Sequence, residues 1–162
     1  MKVVAYSIKI FEKEPLAIAN RKKHEITLIS NVLSTDTVSY ATGKEAVIVF
    51  EDDDVSADVI NKLADMGVKY IATRSTSSDH IDRTTATARA IRIANVPSIA
   101  LAGVTEAELP MVLAEETILN LDKWQQKKCL GLACVCSRSC DKINHSSLDN
   151  HNSHSHEHTH AD

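Results

Sequence analysis

Glycine is scarce: the chain has only four among 162 residues, and Gly43, Gly67, Gly103 and Gly131 stand too far apart to form GxGxxG. That excludes, within this sequence, the loop in which glycine backbone lets a pyrophosphate approach a helix N-terminus. No apolar run approaches the roughly 20 residues that span a bilayer, and the chain opens on a short strand pattern rather than a basic segment with an apolar core. A cytoplasmic protein without a membrane segment is therefore expected. Basic residues are not in excess either. Eighteen Lys and Arg stand against 22 Asp and Glu, for a net charge of -4, and without clustered cations to release counterions no nucleic-acid partner is expected. No GxSxG elbow surrounds Ser75, Ser77 or Ser78, so none reads as a nucleophile.

What is present is an alternation of strand-length apolar runs with amphipathic stretches of helix length, the mark of βα units on a parallel sheet. Strands are expected at Val3–Tyr6, Ile26–Ile29, Ala46–Phe50, Val68–Ala72 and Ile91–Ala94. A helix over Phe11–Arg21 places Phe11, Leu16 and Ala19 on one face, with Pro15 in its first turn, where a missing N–H costs little. Thr35 and Asp36 are expected to cap a short helix through Tyr40, with Gly43 ending it. Ser56 caps a helix in which Val59, Ile60, Leu63 and Met66 recur at helical spacing, and Gly67 closes it. Asp82 caps a helix through Ala90, and a long helix runs from Gly103 to Gln126 despite Pro110. The expected fold is α/β, a flavodoxin-like parallel sheet of about five strands flanked by helices.

The most informative stretch is Lys69–Pro97, which sets a polar loop between a buried strand and a capped helix, the place where α/β proteins build ligand sites. Arg74, Ser75, Asp79, His80, Ile81, Asp82 and Ala94–Pro97 match the pattern RSAGTDHID, a short helix, then VANVPAYSP. The chain thereby resembles D-isomer-specific 2-hydroxyacid dehydrogenases of the D-lactate dehydrogenase type, from MKVVAYSIK at Met1 to about Leu121. The resemblance implies an NAD-dependent oxidoreductase in which residues 1–102 form the substrate (catalytic) domain and helix 103–126 crosses to a coenzyme domain. The Arg, Glu and His of the family's chemistry belong to that coenzyme half, so no catalytic or coenzyme-binding residue carries over to this sequence.

Ser75, Thr76 and Ser77 are the substrate-binding positions the resemblance implies, and they depart from the pattern. Ser77 replaces the glycine whose backbone would approach a substrate carboxylate. Should that position need positive φ, serine adds strain of roughly 1 kcal/mol. Ile99, Ala100 and Leu101 replace YSP, removing a phenol, and Ala90 replaces the glycine before the last strand. These changes point to a truncated substrate-side domain that is inactive alone.

Among other residues, Asp79 and His80 read as turn and capping chemistry before an acid–base pair, because adjacent residues rarely face one another. Arg74 ends a strand and either attracts an anion or serves a solvated or capping role. The acids Glu51–Asp54 either bind a divalent cation or complement a helix N-terminus.

From residue 127 to 162 the composition shifts to Cys, Ser, Asn and His, too polar to offset the entropy of ordering, and a disordered tail is expected. Cys129, Cys134, Cys136 and Cys140 precede a run in which six of the chain's eight histidines fall. The C-x4-C-x-C-x3-C spacing fits no structural zinc pattern. Still, Cys134 and Cys136 with His154, His156, His158 and His160 offer thiolate and imidazole to zinc, nickel or copper. The competing reading is a solvated tail or sequence beyond a disrupted reading frame. In a reducing compartment the thiols are expected to stay unpaired. Two functions remain open: a truncated dehydrogenase domain, or a non-enzymatic metal-binding or interaction protein using the tail. Helix 103–126 is a candidate surface for self-association, because its apolar stripe lacks the family's usual partner.

Overall fold

The computed structural model describes residues 1–135. Five parallel strands, β1 (Lys2–Ala5), β2 (Glu25–Leu28), β3 (Ala46–Val49), β4 (Tyr70–Thr73) and β5 (Arg92–Ala94), form one sheet in the order β2-β1-β3-β4-β5. This is the expected flavodoxin-like arrangement, and the chain reverses its direction of travel across the sheet between β1 and β3. The register pairs Val4 with Thr27 on one side and with Val47 on the other, and Val47 with Ile71.

Successive side chains of a strand point to opposite faces, and here both faces are covered. Helices α2 (Ala57–Asp65) and α3 (Arg83–Ala88) bury Val59, Ile60, Leu63 and Ala86 against Val4, Val47, Ile71 and Ile93. Helices α1 (Ile10–Asn20) and α4 (Leu109–Gln125) lay Leu16, Ile118, Leu121 and Trp124 on the other face, formed by Val3, Ala5, Ala46, Ile48, Ala72 and Ala94. Alanine supplies four of the six sheet residues on this second face. Two-sided burial explains why the strands read as unbroken apolar runs.

Several boundaries differ from expectation. Phe11 does not join Leu16 in the core but is 66% exposed, because α1 begins at Ile10 and turns that side outward. Pro15 falls in the second turn rather than the first, forgoing the bond an N–H there would give the Phe11 carbonyl. The short helix before Gly43 is a 3-10 turn over Val38–Ala41 entered from Thr37. Ser56 does occupy the N-cap of α2, but its side chain accepts nothing; Asp54 instead takes the Ser56 N–H at 3.0 Å. Asp82 caps α3 as expected, accepting from the Thr85 N–H at 3.0 Å.

The long helix starts at Leu109, not Gly103, with Pro110 in its first turn where no donor is lost. Its apolar stripe is not unpartnered. Ala114, Ile118, Leu121 and Trp124 are buried on the sheet, while Asp122 pairs with Lys23 at 2.6 Å and with buried His24 at 2.7 Å. The segment from residue 127 to 135 is ordered, contrary to its assignment to a disordered tail. Leu130, Ala133 and Val135 are buried, Asn95 donates to Ala133 O and Val135 to Ile93 O, both at 2.9 Å, and Cys134 bridges Ala94 in antiparallel fashion. A few apolar residues suffice because the open edge of β5 offers unpaired backbone groups to a passing segment.

Ala90 has φ 59°, the left-handed region where a Cβ costs about 1–2 kcal/mol. Glycine would relieve that strain while loosening the unfolded chain by about 0.4–1 kcal/mol. The difference favours glycine. Ala90→Gly is expected to raise unfolding stability by about 0.5–1 kcal/mol, seen as a higher urea midpoint at unchanged slope.

Candidate functional site

In a sheet of this kind ligands bind beyond the carboxyl ends of the strands, where strand order reverses. The loops leaving β1, β3 and β4 meet there. At their centre is Asp53, 3% exposed. Its Oδ1 accepts from Ser7 Oγ at 2.6 Å and from Leu33 N–H at 2.8 Å, and its Oδ2 from Phe50 N–H at 2.7 Å. One carboxylate therefore joins the loops after β1, β2 and β3, and three donors compensate its desolvation. Ser7 holds φ 59°, a strained conformation for a residue with a Cβ, kept by its bond to Asp53.

Arg74 leaves β4 and turns inward. It is 2% exposed, so neither a solvated nor a capping role holds. Its Nε meets Glu12 Oε2 at 2.5 Å, its Nη2 meets Glu12 Oε1 at 3.1 Å and the Ser7 carbonyl at 2.9 Å, and the guanidinium lies 5.1 Å from the Phe50 ring centroid. Glu12 also accepts from Lys9 N–H at 2.9 Å, closing the first turn of α1. Beside this pair lies a cavity of about 200 Å³ walled by Lys9, Phe11, Phe50, Arg74, Leu109 and Leu113.

The three positions implied for substrate fall in one loop and meet different partners. Ser75 is buried and donates its hydroxyl to Glu51 Oε2 in a close contact. Thr76 is exposed, and its carbonyl accepts from Asn95 Nδ2 at 3.0 Å. The Ser77 N–H goes to Ser75 Oγ at 3.1 Å. Ser77 is not among the described residues with positive φ, so it carries no strain of that kind. A Glu51 carboxylate against the same loop repels an approaching carboxylate, by about 4 kcal/mol at 4 Å near a protein surface.

Asp79 is exposed, and among the described residues no hydrogen bond or ion pair joins it to His80. The acids Glu51–Asp54 split apart: Glu51 goes to Ser75, Asp53 turns inward, and Asp54 meets the start of α2. Among the described residues no group of three or more His, Cys, Asp or Glu is placed to hold a metal ion. Of the tail positions, Cys134 is disulfide-bonded where a free thiol was expected, and Cys129 is free and exposed. Cys136, His154, His156, His158 and His160 lie outside the described residues. Ser7 and Glu12 were missed as participants, and Asp53 was read only as part of the acid run Glu51–Asp54. The polar Ser7 inside an otherwise apolar run was the available hint.

The profile of the D-isomer specific 2-hydroxyacid dehydrogenase catalytic domain matches residues 3–131. This chain belongs to that family. It is 33% identical over 126 residues to the D-lactate dehydrogenase of Lactiplantibacillus plantarum, which covers 74% of this chain but only 38% of the relative. The apo-structure of Escherichia coli D-lactate dehydrogenase superposes with a TM-score of 0.57 at 30% identity, covering 63% of this chain and 35% of that one. D-lactate dehydrogenase with NAD+ from Lactobacillus jensenii gives a TM-score of 0.55 at 29% identity, covering 66% and 34%. The chain thus spans little more than a third of the length of the relatives it matches. Among the described residues no helix is long and apolar enough to cross a membrane.

Two outcomes test the site's construction. Asp53→Ala leaves the buried Leu33 amide, the half-buried Phe50 amide and the Ser7 hydroxyl without an acceptor and is expected to cost on the order of 3 kcal/mol or more in denaturant unfolding. Asp53→Asn keeps the oxygen facing Ser7 and Leu33 but sets an N–H against Phe50 N–H, and falls between alanine and wild type. Tyr6, fully buried and donating to Thr37 O at 2.9 Å, has its phenol held above the ordinary 10.0 by burial, then by the charge of Asp53 and by Tyr40. A raised acid stabilises the fold fully below its unfolded value and loses that contribution as pH rises past it. The stability advantage of wild type over Tyr6→Phe is therefore expected to be constant below pH 10 and to shrink above it, by about 1.4 kcal/mol per pH unit. Parallel curves above pH 10 would contradict the assignment.

Proposed function

We propose that residues 1–135 are the substrate-side wall of an NAD-dependent oxidoreductase acting on D-2-hydroxy acids and their 2-oxo partners, and that this wall turns over nothing by itself. Membership of the family and the likeness to D-lactate dehydrogenases support the substrate class. The observation that carries the inactivity is at the loop after β4. Ser77 N–H is already bound to Ser75 Oγ, which itself donates to Glu51, so this amide is not free to take a substrate carboxylate.

The residues present do not fit a nicotinamide dinucleotide. When bound to a relative, that group supplies a hydride acceptor, but its pyrophosphate needs closely spaced glycines at a strand-to-helix turn. Here the turn after β1 reads Tyr6-Ser7-Ile8-Lys9 and is filled by the Ser7 bond to Asp53. Loss of groups that act together costs around a millionfold, far beyond what a neighbouring side chain could restore.

The test is NADH oxidation by this chain with pyruvate or longer 2-oxo acids at high protein concentration. No turnover above blank is expected, and saturable turnover would refute the proposal.

A further inference from the structure

At the other end of the sheet, below the starts of β4 and β5, lies an open groove of about 640 Å³ whose wall includes Lys69, Arg89, Arg92 and Lys127, with Tyr70 and Trp124. That volume is within the range of small-molecule sites. Its walls come from five segments: the end of α2, the start of β4, the turn after α3, the first residue of β5 and the end of α4 with the residues just beyond it. Arg92 is the register partner of Tyr70, so both side chains leave the sheet on the α4 side. There Tyr70 stacks on Trp124 with ring centroids 4.7 Å apart, making a rigid apolar floor beside the cations.

The charges are uneven in a telling way. Arg89 is neutralised by Asp65 at 2.6 Å and held by Asn61 Oδ1 at 2.8 Å. Among the described residues Lys69, Arg92 and Lys127 form no ion pair and no acid lines the groove. Gathering three uncompensated cations costs repulsion in the free protein, and it does so in a chain whose net charge is -4. A local positive field of this kind concentrates anions of matching charge. One carboxylate would answer only one of the three cations. We propose that this groove binds a compact polyanion of the di- or triphosphate class, remote from the cleft around Asp53 and independent of any turnover there.

Trp124 is the single tryptophan of the chain and lines the groove, so a change in its emission comes from one known position. The experiment is fluorescence titration of the full chain with inorganic phosphate, pyrophosphate, tripolyphosphate and ADP, with a chelator present to exclude metal bridging. The expected result is a saturable change with pyrophosphate, stronger with tripolyphosphate, weak with phosphate, and weakened by added salt. Arg92→Glu should weaken pyrophosphate binding by about tenfold or more. Should that variant fail to fold, Lys127→Glu, at an exposed position beyond α4, decides by the same criterion. ADP binding like pyrophosphate marks a site for the phosphates alone, and tighter ADP binding marks a nucleoside phosphate. No saturable change with any polyanion, or unchanged affinity in the charge-reversed variant, overturns the proposal.

Discussion

The buried carboxylate of Asp53 is the constraint on which this molecule's upper end depends. It sits where strand order reverses, and it accepts hydrogen bonds from the loops after β1, β2 and β3. A charge removed from water is tolerable only when donors replace its hydration. The three donors do so, and in exchange the carboxylate holds Ser7 in a conformation that serine rarely adopts. Crossover connections could otherwise slide relative to one another, because apolar strand packing is non-directional. The hydrogen bonds are not.

The same logic runs through the rest of the cleft, and it bears on function. Arg74 is matched by Glu12, Ser75 by Glu51, and the Ser77 amide by Ser75. Groups that in a ligand site would face outward are satisfied within the chain. Preorganised but unsatisfied donors are what give a site its affinity and catalytic strength; internally paired donors give stability instead. The family's scaffold is retained, and these polar groups are paired with one another. At the opposite end of the sheet the reverse holds, with cations left facing a groove.

Much of the fold was legible in the residues. Five apolar runs gave five strands, and Gly67 and Asp82 marked helix ends, because an αL residue and a capping carboxylate answer to local backbone geometry alone. The helical phase of α2 was legible for the same reason. The start of α4 was not: Gly103–Glu108 has helical composition, yet Pro110 belongs in a first turn and sets the true beginning at Leu109. The segment from residue 127 to 135 read as tail because its own apolar content is small. What orders it is the edge of β5, which no local pattern reveals.

The sequence by itself determined the class of fold, the family and the absence of a glycine-rich dinucleotide loop, since each follows from residue types at short spacing. Tertiary structure alone decided which charges meet. Asp53 and Ser7 are 46 residues apart, and Arg74 and Glu12 are 62 apart, and each pair is joined only because parallel strands deliver their carboxyl ends to one place. Whether an arginine faces solvent, a ligand or a glutamate is a question of that long-range delivery. Residue identity, periodicity and capping chemistry act over a few positions and do not carry it.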